Sequence, residues 1–331
     1  MRAKLLLVFA LVAALTLGVS LSAFAQPYDI AVIVKATDSD FWQQVLIGAR
    51  TADKQYDHLT IREYGPVSEA DIQGQVAILE NVITSQPDAI VIASTSSDAT
   101  IPALERAYDM GIKIILIDNL VHTEKYHSFL ATDNIVGGGL AAEQFVARLQ
   151  QMGKPLEGKV GLVSAMAGVQ VLTNRDNGFK TRLAELAPGL EILPTRYVDN
   201  DIPTALAAAE DIITSTPDLV GFFADNNHTG VGVGRALAER NLGDDLVLIA
   251  FDSDPEEVNA LKEGHIYALV VQDPFGMGYY GVMSAVDALE GKELPRYVDT
   301  GVVVVTRDNF NDDSVQHLLF PEQRAAFILG E

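Results

Sequence analysis

Apolar residues along this chain alternate between two textures. Short runs rich in β-branched residues occur at 29–35, 59–64, 88–94 and 113–118. Between them lie longer stretches with apolar positions at helical spacing, reaching about residue 54 and then covering 69–85 and 100–110. Continuously apolar strands suit a parallel sheet buried on both faces, and strands alternating with helices make right-handed βαβ units. After a helical stretch at 135–152 the rhythm restarts. Strands are predicted at 159–164, 191–193, 219–224 and 246–252, with helices ending near 186, 215 and 240. The pattern predicts an α/β chain of two tandem halves, that is, two Rossmann-like lobes with parallel sheets flanked by helices.

The first residues break this pattern. Arg2 and Lys4 precede an uncharged apolar run at 5–21, and Ala23 and Ala25 then stand at −3 and −1 of a cut before Gln26. A positive start, an apolar stretch and an A-x-A site form a signal peptide, so residues 1–25 are expected to be removed on export. No Cys follows the apolar run, which excludes a lipoprotein anchor. In a cell with two membranes the expected location is the periplasm. The chain has 331 residues and a formal charge of −22, with 23 basic and 45 acidic residues. Cleavage would remove two positive charges and no negative ones. Such an acidic balance argues against a nucleic-acid partner, which needs a surplus of Lys and Arg. Zero Cys removes disulfides, thiolate metal sites and Cys nucleophiles together.

Polar residues cluster just after the apolar strands, at Lys35 to Ser39, Ser94 to Ser97, Asp118-Asn119, Asp225-Asn226 and Asp252-Ser-Asp254. In open parallel sheets ligands bind beyond the carboxyl ends of the strands. Two such sheets facing each other make a cleft lined from both sides, which suits a hinged trap for a small polar molecule. The catalytic motifs point elsewhere or nowhere. Gly137-Gly-Gly-Leu-Ala-Ala142 fits part of a dinucleotide fingerprint but lies late in the chain, and reads better as a tight helix start at an interlobe crossing. Gly230-Val-Gly-Val-Gly-Arg235 reads as close helix packing. No Walker loop and no nucleophile elbow occur. The six His are scattered, with His122 and His127 nearest in sequence, and no acidic run has calcium-loop spacing, so neither metal nor cofactor is expected. Asp254-Pro255 reads as a helix cap followed by a first-turn Pro.

Taken in order, the strand ends resemble the periplasmic sugar-binding proteins of ABC importers, in the ribose- and allose-binding branch. The resemblance runs over 29–305. It is carried by Val32-Ile-Val-Lys35 with Asp40-Phe-Trp42, Leu116-Ile-Asp-Asn119, Ala131-Thr-Asp-Asn134, Asn174-Arg-Asp-Asn-Gly-Phe179, Phe223-Ala-Asp-Asn226, Ala250-Phe-Asp252 and Val270-Val-Gln-Asp-Pro274. It implies one monosaccharide, or a related polyol, held between two lobes and passed to a membrane permease. The protein would be a monomer with no catalytic residue. Position by position, the resemblance implies contacts from Lys35, Ser39, Phe41, Trp42, Asp118 and Asn119 in the first lobe. It implies Arg175, Asn226, Asp252 and Gln272 in the second. Sugar hydroxyls both donate and accept, which Asp, Asn, Gln, Arg and Lys side chains match, and flat rings cover C–H faces.

This chain departs from the family in places. Ser39-Asp40 replaces a frequent Asn-Pro, Asn119 replaces Arg, and an aromatic wall from the second lobe is absent near Asn200, with Tyr197 as its nearest substitute. The expected lobes are 26–132 with 273–300, and 133–272 with 301–331, joined by a three-segment hinge near Thr132, Gln272 and Gly301. The segment 307–331 runs past the family's usual end and is expected to pack on a lobe. Three competing functions remain: a sensory binding protein serving a chemoreceptor or sensor kinase, an exported carbohydrate hydrolase using paired Asp, and a DNA-binding sugar repressor. The last lacks an N-terminal helix-turn-helix and is opposed by the charge.

Overall fold

The apolar runs become strands buried on both faces in a computed structural model, which describes residues 27–331. The leader expected at 1–25 lies outside the described residues. The first lobe runs β1 (Tyr28–Ile33), α1 (Asp40–Gln55), β2 (Leu59–Tyr64), α2 (Ile72–Thr84), β3 (Ala89–Ile92), α3 (Ile101–Asp109), β4 (Lys113–Ile117) and β5 (Ser128–Ala131). The second holds α4 (Asn134–Gln151), β6 (Glu157–Ser164), α5 (Gln170–Leu186), β7 (Gly189–Ile192), β8 (Arg196–Tyr197), α6 (Ile202–Ser215), β9 (Leu219–Ala224), α7 (Asn227–Glu239), β10 (Val247–Phe251), α8 (Pro255–Glu263) and β11 (Ala268–Gln272). The chain then returns with α9 (Pro274–Leu289) and β12 (Tyr297–Asp299), and crosses back with β13 (Val302–Val305). It ends in α10 (Asp313–Leu319) and α11 (Pro321–Leu329).

The two sheets share one plan. Their strand orders are β12-β5-β4-β3-β1-β2 and β13-β11-β10-β9-β6-β7, with β8 beside β6. Within each, the pairings are parallel except that β13 runs antiparallel to β11. The period of two along a strand feeds two cores per lobe. On β3, Ile90 and Ile92 enter one cluster while Ala89 and Val91 enter the other. On β10, Leu248 and Ala250 face one cluster, and Val247, Ile249 and Phe251 face the other. Each fully buried Ile or Phe contributes roughly 1.5–3 kcal/mol over exposure. These cores fix the sheets firmly enough to aim the residues at their ends.

The chain passes between sheets after β5, after β11 and between β12 and β13. The terminal segment adds a further bridge. Val315 and Leu319 of α10 enter the second lobe's core, whereas α11 packs on α1 of the first lobe. Pro321 ends one helix and starts the next, because Pro cannot continue a helix but fits its first turn. Arg324 clamps the last helix down with two bonds to Asp273, at 2.5 and 3.1 Å. Residues 321–329 thus rest on the first lobe, where the sequence reading had placed the whole of 301–331 with the second.

Candidate functional site

The carboxyl ends of both sheets open into one small cavity between the lobes. Lys35 follows β1, Asp118 follows β4, Asp252 follows β10, and Gln272 ends β11. Phe41 and Trp42 come from the first turn of α1, Arg175 from α5, and Asn226 caps α7. All eight line the cavity.

Each lobe uses the same backbone device. Asp118 and Asp252 are non-glycine residues in the left-handed region, at φ 61° and 78°. The Asp118 N–H donates to the Leu130 carbonyl and the Asp252 N–H to the Val270 carbonyl, both at 2.9 Å. A left-handed Asp is tolerated because its short side chain can bond locally, yet such positions cost about 1–3 kcal/mol. Here the turn swings each carboxylate off the strand direction and into the cleft.

Each carboxylate meets a cation. The Lys35 ammonium lies 2.5 Å from Asp118 and 5.5 Å from the centre of the Trp42 ring. The Arg175 guanidinium lies 3.9 Å from Asp252 and 4.1 Å from the centre of the Phe251 ring. Its Nε donates to Asn134 Oδ1 and its Nη1 to the Asp225 carbonyl, both at 2.8 Å. Close contact between α4 and α5 sets this residue. A Cβ at Gly138 would stand 2.0 Å from the Arg175 carbonyl oxygen, and one at Gly178 would stand 2.2 Å from that of Ile135. The glycine run read as a tight helix start therefore serves to seat the arginine helix. Asp252 accepts further bonds from Gln272 Nε2 at 2.7 Å and from the Asn227 N–H at 3.2 Å. Burial pushes its carboxyl pKa up, against the pull of Arg175.

The second lobe carries more buried acid behind this site. Burial, with Asp176 nearby, pushes Asp225 up to about 8 although Ser164 and the Ala165 N–H bond it. Burial pushes Asp254 to about 7 and Asp176 to about 6. Asp254 does open α8 as read from Asp254-Pro255, with its N–H donating to Glu257.

Ser39 and Asn119 are brought close but do not line the cavity. Asn227 Nδ2 donates to Ser39 Oγ at 3.0 Å across the lobes, and also to Asp254 at 3.1 Å. Ser39 is thus an interlobe contact. Asn119 points away from the cleft because the left-handed Asp118 reverses the chain, and its Nδ2 donates to the Ser94 carbonyl and Ser97 Oγ. Tyr197 is half exposed on the short β8 and supplies no wall. The second-lobe wall is aliphatic instead, made by Val169, Val171 and Leu172. Asn200 accepts from Asn226 Nδ2 at 2.7 Å. Sequence reasoning also missed Glu69 and Asn227. Glu69 stands before α2 and accepts from the Trp42 indole N–H at 2.6 Å. An Asn beside Asn226 gave one available signal, whereas Glu69 sits in a polar loop that gave none.

Among the described residues, no group of three or more His, Asp or Glu side chains is arranged to hold a metal. No described helix is long and apolar enough to cross a membrane. What the site offers is two charged pairs, three amides and a ring wall around one small cavity.

Known proteins resemble this chain in sequence and fold. The profile of a periplasmic binding protein domain matches residues 30–293. The D-ribose/D-allose-binding protein of Pseudomonas aeruginosa is 26% identical over 83% of this chain and 86% of its own length. The ribose import binding protein of Escherichia coli is 27% identical over 86% of this chain and 93% of its own. Among solved structures, a carbohydrate transporter solute-binding protein from Agrobacterium radiobacter in complex with D-arabinose superposes with a TM-score of 0.86. It is 38% identical and covers 90% of this chain and 100% of that one. An ABC transporter solute-binding protein from Agrobacterium vitis with bound D-fucose gives 0.83 at 34% identity, over 88% and 100%.

Proposed function

The chain belongs to the periplasmic binding protein family, and we propose that it captures a pentose, a hexose or a related polyol between its lobes and delivers it to the permease of an ABC importer. One observation carries this reading. Two cation–carboxylate pairs, Lys35–Asp118 and Arg175–Asp252, face one cavity from opposite lobes across the Trp42 ring. The paired charges offset each other, which favours a neutral guest. Ionised donors and acceptors make the stronger hydrogen bonds to its hydroxyls. The contacts come from both lobes, so ligand favours the closed arrangement over an open one by its differential affinity. The three chain crossings near Thr132, Gln272 and Gly301 serve as the hinge. Capture takes place in the periplasm, without covalent chemistry, and the site residues are Lys35, Phe41, Trp42, Asp118, Arg175, Asn226, Asp252 and Gln272.

The test is a thermal-shift screen of D-ribose, D-allose, D-arabinose, D-fucose and common polyols. A true ligand at 100 times its Kd stabilises the fold by about 2.7 kcal/mol. The same ligand should change the emission of Trp42, the single tryptophan of the chain. A screen in which no sugar or polyol moves either signal defeats the proposal.

A further inference from the structure

Glu69 lies in the loop between β2 and α2, outside the strand-end set that builds the rest of the site, yet it lines the same cavity. One carboxyl oxygen accepts the Trp42 indole N–H at 2.6 Å. The other makes no hydrogen bond among the described residues. This contact changes what each neighbour can do. An indole has a single donor, and here that donor is spent on Glu69. Trp42 is left to present its ring, which stands edge-on to Phe41 with centres 4.8 Å apart. Ser39, which stands at the N-cap of α1, is engaged by Asn227 of the opposite lobe. The polar reading of a guest along this wall therefore falls to Glu69. The Lys35 ammonium, paired with Asp118 at 2.5 Å, also attracts Glu69 and offsets part of the cost of burying it. With Asp118 against the ammonium and Glu69 on the same cavity wall, the first lobe suits a pair of adjacent hydroxyls, each able to donate to one acid.

We propose that Glu69 is a specificity-determining residue whose free carboxyl oxygen accepts one ligand hydroxyl, next to the hydroxyl held by Asp118 and Lys35, so that the first lobe selects rings with a vicinal diol at that edge. This rests on the sugar-binding reading and deepens it. Wild type is titrated by calorimetry with D-ribose, D-allose, D-arabinose and D-fucose, and then with each monodeoxy analogue of the tightest binder. Glu69→Ala and Glu69→Gln go through the same series. Glu69→Gln keeps an acceptor for the indole while losing the charge.

In wild type, removing the hydroxyl read by Glu69 weakens binding by about tenfold or more, as expected for a hydrogen bond to a charged group. In Glu69→Ala that one deoxy analogue binds as well as its parent sugar, while the other positions keep their wild-type losses. Glu69→Gln gives an intermediate penalty at the same position. If both variants instead weaken every analogue by one common factor, Glu69 merely props Trp42 and the inference is overturned. If wild type binds none of the sugars, the functional proposal itself has failed, an outcome distinct from a sugar-binding wild type with indifferent variants.

Discussion

Asp118 leaves β4 at φ 61° and Asp252 leaves β10 at φ 78°, each fixed by a backbone bond of 2.9 Å to the neighbouring strand, and each facing a cation that lies over an aromatic ring. Beyond that shared skeleton the half-sites diverge. Lys35 in the first lobe has one close anionic partner and leans on an indole. Arg175 in the second is bonded to Asn134 and the Asp225 carbonyl, while Asp252 is held by Gln272 and the Asn227 N–H. The second lobe is therefore a preformed polar socket, and the first is a flat face with one ion pair. A socket fixed before the guest arrives loses less ordering entropy on binding. The flat face then closes over it.

The widest gap between the lobes should appear when the cations are removed. Arg175→Ala leaves Asp252 and the Asp225 carbonyl without their buried partner. It is expected to cost about 3–5 kcal/mol of stability, the scale of a broken buried pair. It should also weaken sugar binding by about 2–5 kcal/mol, since every 1.4 kcal/mol is tenfold in Kd. Lys35→Met should weaken binding on the same order and also breaks a buried pair, but it leaves no counterpart of the Asn134 and Asp225 bonds unmade, so its urea midpoint should fall between wild type and Arg175→Ala. Calorimetry and urea titration of both variants check this. Equal stability losses would erase the distinction between socket and face.

That distinction was only half legible in the sequence. Strand-end positions are readable because an apolar run fixes where a strand stops, and the next residues must enter the cleft. Lys35, Asp118 and Asp252 stand out that way, whereas Gln272 enters only through the family resemblance. Asn119 turns away from the cavity after the left-handed residue Asp118, and one residue of spacing carries no sign of that. The contact of Ser39 with Asn227, 188 residues away on the opposing lobe, has no local signal in the sequence. Glu69 lies on a loop ahead of α2 and the Val169–Leu172 wall at the very start of α5, where periodicity says little about direction. The tail read as packing on a lobe, but Pro321 lets its two helices settle on different lobes.

Acid buried behind the socket gives a second, smaller contrast. Asp225 and Asp254 titrate near 8 and 7 in the folded protein, against 3.8 for an ordinary Asp. Both shifts are upward, so between about pH 4 and 8 the native state binds more protons than the unfolded chain. Linkage then makes stability fall as pH rises through that window, and level off above about 8. Asp225→Asn should flatten the slope across that window, with its largest effect near pH 5–7. Urea midpoints measured from about pH 5 to 9 check this. An unchanged slope would mean that Asp225 is ionised throughout and that the socket carries a full buried charge.

The smallest expected effect lies where the comparison itself could blur, because α10 and α11 tie the two lobes together outside the hinge. Arg324 holds the last helix to the first lobe through Asp273 and lies 4.6 Å from the centre of the Phe275 ring. Both ends of that pair are partly shielded, with side-chain exposures of 19% and 17%. A good ion pair near the surface is worth up to about 1 kcal/mol. Arg324→Ala should thus shift Kd by no more than about fivefold, since 1–2 kcal/mol is a factor of 5–30. The direction tells more than the size. A tail that favours the closed form makes the variant bind more weakly, with faster ligand release, and a tail that props the lobes apart makes it bind more tightly. The half-sites keep their own geometry in either case, so the Arg175 and Lys35 variants should show the same ratio of effects with Arg324 present or removed. A ratio that changes would mean that the tail, and not the cleft residues alone, sets how far the flat face closes on the socket.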